Sequence, residues 1–269
     1  MPRPITLATW NINSVRIRTG LIERLVAERD PDVICLQETK CPDANFPEGV
    51  FRKLGYPHIA LNGQKGYHGV AVISRIPIAS VDRRPFCGKG DARHIGVVLD
   101  APGGPIDLHN LYVPAGGDEP DPAVNDKFAH KLDFLEELSG WIGRAPAGMP
   151  SVVVGDLNIA PLEDDVWSHK QLLGVVSHTP RETAALEAIR TGGRWIDLMR
   201  SFVPCPEKLY TWWSYRAADW AAADKGRRLD HVWISEDLRT RAAGMEVLRA
   251  ARGWDRPSDH VPVLARFER

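Results

Sequence analysis

The sequence predicts an α/β protein in which two packed β-sheets carry helices on their outer faces. Three observations point there. Strand-like apolar runs outnumber helix-like ones. Both hairpin turns and helices separate them, which favours two sheets with helices outside. The chain also contains an internal echo: Ala8–Asn13 resembles Val153–Asn158, each a strand ending in polar-x-Asn. Two similar halves facing each other would bring both strand ends to one rim.

The elements follow in order. Ile5–Trp10 reads as a strand ending at Asn11-Ile12-Asn13, and Ser14 is positioned to cap the next helix. That helix carries Val15, Leu21, Ile22, Leu25 and Val26 as an apolar stripe, and Asp30-Pro31 stops it. Asp32–Gln37 is the next strand, running into Glu38-Thr39-Lys40, and Phe46–Gly55 is irregular or a short helix. Gly69–Ser74 and Ile95–Asp100 are strands, and Ala101-Pro102-Gly103-Gly104-Pro105 is a hairpin turn into Ile106–Val113.

Pro114–Asp126 has the composition of a linker. We read it as a surface loop, because the helix after it needs the first half of the chain to pack against. The whole of 1–269 is therefore expected to be a single domain. That helix carries Phe128, Leu132, Leu135, Leu138 and Ile142 at spacings of three and four, and Arg144–Pro150 leads from it to the next strand. Thr179-Pro180-Arg181-Glu182 is a helix start with a capping threonine, proline at the first position and glutamate closing the box; Gly192-Gly193 ends it. Trp212-Trp213, Leu229–Ile234 and Val261–Phe267 are strands, with a polar, alanine-rich insertion over Arg216–Arg228.

One strand stands apart. In Ser151–Ala160 three consecutive valines are followed by Gly155, which should break the strand, and then by Asp156 and Asn158. Such a run reads as a strand buried on both faces. A spacing of two puts the acid and the amide on one side if the chain stays extended. Gly, Asp and Asn are also the commonest turn residues, so the segment alone fits a turn equally well.

The bulk composition is that of an ordinary soluble globular protein, 43% apolar and 26% charged over 269 residues. The net charge of -1 means that a polyanion binder must cluster its basic residues on one face. Arg16, Arg18, Lys40, Lys65, Arg93, Arg227, Arg228 and Arg256 are local candidates. Cys35, Cys41, Cys87 and Cys205 form no Cys-x-x-Cys pair, which argues against zinc and for reduced thiols in a cytoplasmic protein. No signal-like apolar stretch follows Met1–Ile5, and no run is long enough to span a membrane. A Gly-x-Ser-x-Gly elbow, a Walker lysine loop and a complete dinucleotide glycine loop are all missing.

The chemistry collects at strand ends. Asn11, Glu38, Tyr112, Asp156, Asn158, Asp230, Asp259 and His260 all lie within or beside apolar strand segments. Each has a bland explanation: Asn11 as a turn residue, Glu38 as a solvated acid, Tyr112 as a half-buried strand tyrosine, Asp230 as a partner for Arg227 or Arg228, Ser258-Asp259 as a turn cap. Their coincidence is what carries weight. Carboxylates and carboxamides without a cysteine cluster suit a hard ion such as magnesium, with manganese as the alternative. Aspartates and a histidine supply acid–base groups, and the mixture fits metal-assisted phosphodiester hydrolysis.

The segments Thr9–Arg16, Leu36–Lys40, Tyr67–Ala71, Tyr112–Pro114, Gly155–Pro161, Arg228–Asp230 and Ser258–His260 together resemble the exonuclease III family of abasic-site endonucleases, in family order over nearly the whole chain. The resemblance implies a four-layer α/β/β/α sandwich of two mainly antiparallel sheets, in the wider endonuclease/exonuclease/phosphatase superfamily. It implies Glu38 as principal metal ligand, with Asn11 beside it and Asp259 as a further ligand. It implies Asp156 to activate the attacking water, Asn158 to orient it or the phosphate, and His260 to hydrogen-bond a phosphate oxygen with Asp230 fixing its ring. Tyr112 would contact the phosphate or assist the leaving 3′-oxygen. Trp212 and Leu229 match positions that wall the pocket for the base-free sugar.

The implied activity is a DNA repair phosphodiesterase: incision 5′ to abasic sites in double-stranded DNA and trimming of blocked 3′ ends, by a monomer without membrane contact. Two departures stand out. Ala115 replaces an amide that often follows Tyr-Val-Pro, and Arg227 replaces an aromatic residue found in some members; Arg227 could bind phosphate instead. One rival keeps the fold and takes a phospholipid or small nucleotide as substrate. Another is a non-catalytic DNA-binding relative, against which the complete set Glu38, Asp156, Asn158, Asp230 and His260 argues.

Overall fold

The valine run at 152–154 does form a buried strand, and the architecture grows outward from it. A computed structural model describes residues 3–142 and 148–269, so part of the expected lead from Arg144 to Pro150 lies outside the described residues. The first half of the chain runs β1 (Ile5–Asn11), α1 (Thr19–Arg29), β2 (Val33–Gln37), α2 (Glu48–Lys53), β3 (His58–Asn62), β4 (Val70–Ser74), β5 (Ile78–Asp82), β6 (His94–Leu99) and β7 (Ile106–Tyr112). The second runs α3 (Asp126–Ile142), β8 (Ser151–Asp156), α4 (His169–Leu172), α5 (Pro180–Gly192), β9 (Ile196–Asp197), α6 (Leu198–Phe202), β10 (Trp212–Trp213), α7 (Trp220–Ala223), β11 (Gly226–Arg227), β12 (Asp230–Ile234), β13 (Ala242–Val247) and β14 (Val263–Phe267).

Two six-stranded sheets result, ordered β13-β14-β1-β2-β4-β3 and β5-β6-β7-β8-β12-β9, with β10-β11 as a separate hairpin. Each sheet contains one parallel pair, β1 with β2 and β7 with β8, and its other pairs are antiparallel. The echo has a topological counterpart: β1 and β8 are both central, each paired to one parallel and one antiparallel neighbour.

Strand alternation sorts the core into layers. Val152 and Val154 of β8 join Val72, Leu108, Val232 and Val263 between the sheets. Val153 points the other way, onto Phe134 and Leu138 of α3 and Leu186 and Ile189 of α5. On the opposite side Trp10 and Leu36 pack under Ile22 and Leu25 of α1 and Phe51 of α2. The result is the expected α/β/β/α sandwich. Each fully buried aliphatic side chain contributes about 1.5–3 kcal/mol to holding it.

Three local expectations change. Ser14 makes no side-chain cap; its φ is 83° and its N–H donates to the Glu38 carbonyl at 2.7 Å, a 3-10 turn follows, and α1 begins only at Thr19. Gly155 does not break β8, which runs through it to Asp156. A side chain there would put Cβ 1.9 Å from the Leu111 carbonyl oxygen, and φ is 136°, so glycine is what lets β7 and β8 approach. Four strands not expected from the sequence, β3, β5, β9 and β13, add the sheet edges.

Candidate active site

Register brings the polar strand ends to one rim. Asp156 at the end of β8 sits opposite Tyr112 of β7 and Asp230 of β12. Asn11 ends β1 and Glu38 follows β2 directly in the facing sheet. His260 is bridged to Trp212 of β10. The two sheets are pinned beneath this rim by a buried amide pair. Gln37 Nε2 donates to Asn110 Oδ1 at 2.7 Å, and Asn110 Nδ2 donates to the Leu36 and Ala71 carbonyls at 3.0 Å.

Asp156 and Asn158 are both a turn and a site. The Asn158 N–H donates to Asp156 Oδ1 at 2.9 Å, the bond of an Asx turn, and Asn158 has φ 54°. The Asn158 side-chain amide donates to Asp156 Oδ2 at 3.2 Å and to the Val113 carbonyl at 2.9 Å. Asn11 Nδ2 bridges the two sheets, donating to Asp156 Oδ2 at 2.8 Å and to Glu38 Oε1 at 2.9 Å. Its oxygen accepts the Asn13 N–H at 3.1 Å. Asn11 thus faces both carboxylates as a donor.

The Tyr112 hydroxyl donates to Glu38 Oε1 at 2.9 Å, while Lys40 Nζ lies 2.8 Å from Glu38 Oε2. On the other side, His260 Nδ1 donates to Asp230 Oδ2 at 2.8 Å, and His260 Nε2 lies 3.6 Å from Asp156 Oδ2. Asp259 accepts from Asn13 Nδ2 at 3.2 Å and from Trp212 Nε1 at 2.9 Å. Left-handed backbone clusters here in Asn13, Glu38, Lys40, His68 and Asn158. Strain of this kind needs a surrounding that over-determines it.

Burial and charge divide the acids. Burial raises Asp156 to about 7, although the His260 charge opposes it. Burial alone would lower His260, but the facing Asp230 and Asp156 carboxylates outweigh it and raise the imidazole to about 10. Burial acts to raise Glu38 too; Lys40 and the Asn11 hydrogen bond prevail and hold it below the usual carboxylate range. Burial and the neighbouring Glu38 carboxylate keep the Tyr112 phenol protonated. One rim therefore holds a proton acceptor near neutrality, a cationic donor and an ionised carboxylate.

The cleft below is about 580 Å³ and is lined by Glu38, Tyr112, Asn158, Trp212, Leu229 and His260, among others. Trp212 and Leu229 lie side by side in that lining. Arg227 also lines it, but its guanidinium is engaged: Nη1 donates to Ser177 Oγ at 2.7 Å and to the Val176 carbonyl at 3.2 Å, and the group lies 5.3 Å from the Trp212 ring centre. Its observed work is to tie the 176–177 segment to the tryptophan wall. Arg228 does not pair with Asp230. It is fully buried between Asp165 and Asp197, at 2.7 Å from each. Ala115 lines the cleft without any polar side-chain group.

The donor chemistry fits a hard divalent cation. Four carboxylates, those of Glu38, Asp156, Asp230 and Asp259, converge, and the cations in contact with them are Lys40 and His260. Asp156, Asp230 and His260 bring ligand atoms within 4.8 Å of one another, and Asp230 Oδ1 is buried without a hydrogen-bond partner. Oxygen-rich, acidic surroundings select magnesium-like over thiophilic ions.

Several supporting residues escape sequence reasoning. Lys131 is completely buried, pairs with Glu182 at 2.5 Å and donates to the Asn158 carbonyl at 2.8 Å. Glu182 in turn accepts from Ser177 N and Thr179 Oγ1, so the helix-start box doubles as a site brace. A lysine one turn after Phe128, within the apolar stripe of α3, was the available signal. Arg93 stacks over Tyr112 at 5.0 Å and pairs with Asp91 at 3.0 Å.

Residues 8–260 match the Endonuclease/Exonuclease/phosphatase family. The chain is 31% identical over 270 residues to Exodeoxyribonuclease III of Haemophilus influenzae, covering 97% of this chain and 98% of that one. It superposes on an AP endonuclease from Archaeoglobus fulgidus with a TM-score of 0.90 at 30% identity, covering 98% of this chain and 100% of that one. A 3′ phosphatase, NExo from Neisseria, bound to a product DNA hairpin, matches with a TM-score of 0.89 at 27% identity, again covering 98% and 100%.

Proposed function

The chain belongs to the endonuclease/exonuclease/phosphatase family, and from that premise we propose that it is a metal-dependent DNA repair phosphodiesterase that cuts the backbone 5′ to abasic sites and trims blocked 3′ ends. The observation that carries this reading is the juxtaposition at the rim. The Asp156–Asn158 pair faces His260 across 3.6 Å, and an apolar wall of Trp212 and Leu229 stands beside them. That wall suits a deoxyribose lacking its base, while the charged rim suits a phosphate. Relatives named as exodeoxyribonuclease III and AP endonuclease support the same substrate class.

The residues divide the work as follows. Asp156, raised to about 7 by burial, takes the proton of the attacking water at neutral pH. Asn158 fixes the direction of that carboxylate through its backbone N–H. His260 holds its proton and donates from Nε2 to a phosphate oxygen as charge builds on it, while Asp230 holds the ring from Nδ1. Tyr112, a neutral phenol, donates toward the phosphate or the departing 3′-oxygen. Glu38, with Asp259 nearby, would hold the ion, magnesium by its oxygen donors with manganese as substitute; when bound, the ion supplies positive charge that offsets the phosphate's.

The chain is read as one domain and a monomer, since both sheets of a single copy contribute to the cleft. Reduced cysteines support a cytoplasmic setting. No described helix is long and apolar enough to cross a membrane. The test is a duplex carrying one tetrahydrofuran abasic analogue, incubated with folded protein and magnesium. A nick 5′ to the analogue leaving a 3′-hydroxyl is expected; absence of magnesium-dependent nicking overturns the assignment.

A further inference from the structure

A second cavity lies behind the catalytic cleft. In β10 the adjacent residues Trp212 and Trp213 point to opposite sides, as neighbours on a strand must. Trp212 walls the cleft and Trp213 lines a separate cavity of about 380 Å³, closed on its far side by Trp220 and the small side chains of Ala217 and Ala223. The two tryptophan rings are 5.4 Å apart at 64°. Ser214, Arg216 and Lys225 line both cavities. Trp213 itself is 2% exposed, so the aromatic surface that the second cavity offers belongs to the half-buried Trp220, with the shared cations at its edge.

The charge around this second cavity favours a polyanion. Arg249 and Arg252 lie 5.6 Å from the Trp220 ring centre, and Arg252 donates to the Trp213 and Ser214 carbonyls. Of the carboxylates beside the cavity, Asp224 is paired with Arg249 at 2.9 Å and accepts the Trp213 indole N–H at 2.9 Å, while Asp219 caps α7 by accepting the Ala221 and Ala222 N–H groups. Among the described residues neither Arg216 nor Lys225 is ion-paired to a carboxylate; Lys225 rests on the Trp167 ring at 4.5 Å. A partly exposed aromatic ring flanked by unpaired cations is what an unstacked base and its phosphate require.

We propose that this cavity is a nucleobase subsite: it takes the unstacked base of a nucleotide next to the cleaved position, with Arg216 and Lys225 holding the phosphate between the two sites. The proposal rests on the DNA reading given above. It differs from readout of sequence, because a ring face accepts any base. It also explains why the alanine-rich insertion carries a tryptophan: Ala217 and Ala223 leave the room that Trp220 closes.

Two measurements test it. The first uses duplexes with 5-iodouracil at either flanking position of the abasic analogue, irradiated in complex with the protein in calcium. A photo-crosslink mapped to Trp220 by mass spectrometry is expected, and it requires no turnover. The second compares KM for a duplex with its normal flanking bases against one in which those bases are also missing. The protein should lose about tenfold in KM when the bases are removed. Trp220→Ala and Ala223→Glu should show that higher KM on both duplexes with kcat within about twofold. Crosslinks confined to other residues, or variants that keep the full KM difference, overturn the proposal. Failure to nick either duplex would strike at the phosphodiesterase reading alone, since the crosslink reports on the subsite by itself.

Discussion

The Lys131 ammonium lies in a fully buried position between the Asn158 carbonyl, 2.8 Å away, and the Glu182 carboxylate, 2.5 Å away. It also reaches the Ala115 carbonyl at 3.4 Å, so one lysine ties two cleft loops to α5. Lys131→Met leaves Glu182 buried without its charge partner, which costs about 3–5 kcal/mol. The double variant Lys131→Met, Glu182→Leu should recover much of that stability by removing the orphaned charge. It should not recover kcat, because Asn158 remains unbraced. Thermal unfolding and turnover on the abasic duplex separate the two; a double variant with normal kcat would show that the lysine only stabilises.

Proton occupancy at the rim predicts the pH profile. Asp156 must lose its proton to accept another, so the rate should rise through about pH 7. His260 must keep its proton, so the rate should fall as pH passes about 10. Stability falls with pH at both groups, because each keeps its proton longer in the folded chain. A histidine raised above its ordinary 6.5 contributes stability fully below that value and loses it as pH rises through about 10. Asp156, raised above 3.8, acts in the same direction, and its burial penalty builds from 3.8 and is complete once pH exceeds about 7. In Asp230→Asn the main carboxylate that raises His260 is gone, so the falling limb should move toward neutrality. A pH–rate profile with an unmoved falling limb would remove His260 from that role.

Gly155 makes a sharp prediction about the fold beneath the site. An added methyl would meet the Leu111 carbonyl at 1.9 Å on a backbone with φ 136°, and both are main-chain constraints that no rotamer relieves. Gly155→Ala should therefore cost at least about 3 kcal/mol. A denaturant midpoint close to that of the parent protein would mean that β7 and β8 can separate without penalty.

What the sequence made legible follows from burial. The central strands are covered on both faces, so β1, β2, β4, β7, β8 and β12 stand out as apolar runs, and their polar ends mark the rim. Besides β11, inside the expected insertion, the missed strands are the sheet edges: β13 and β3 of one six-stranded sheet, β5 and β9 of the other. Edges are half-solvated and short, and Ile78–Asp82 is exposed over four of its five residues, so no apolar pattern marks them. Glu38, Asp156 and His260 could be read from motifs because chemistry restricts their type. Lys131 and Asn110 could not, since their roles depend on which distant carbonyl or carboxylate the fold brings to them, and Arg93 reads only as one of several basic candidates. The Gly155 reading failed for a related reason: a close approach of two backbones leaves the same letter in a sequence as a turn.

Lys40 offers a test of where the metal binds. Its ammonium sits 2.8 Å from Glu38 Oε2, so the residue expected to hold the ion already has a cation beside it. If the ion binds at Glu38, it competes with that ammonium for the same oxygen. Removing the ammonium leaves the convergent carboxylates less compensated, which favours an incoming cation. Lys40 is about a quarter exposed, so solvent screens part of the effect, and a modest change is expected. Lys40→Gln should tighten magnesium binding to the free protein by roughly three- to tenfold, an order set by partly screened charge pairs. Titration calorimetry without DNA reads this directly, and raising the salt concentration should shrink the difference. Glu38→Gln should abolish the same binding heat. If Lys40→Gln weakens binding or leaves it unchanged while Glu38→Gln abolishes it, Lys40 does not occupy the ion's place on Glu38. If Glu38→Gln also binds normally, the ion is held instead by the carboxylates of Asp156 and Asp230.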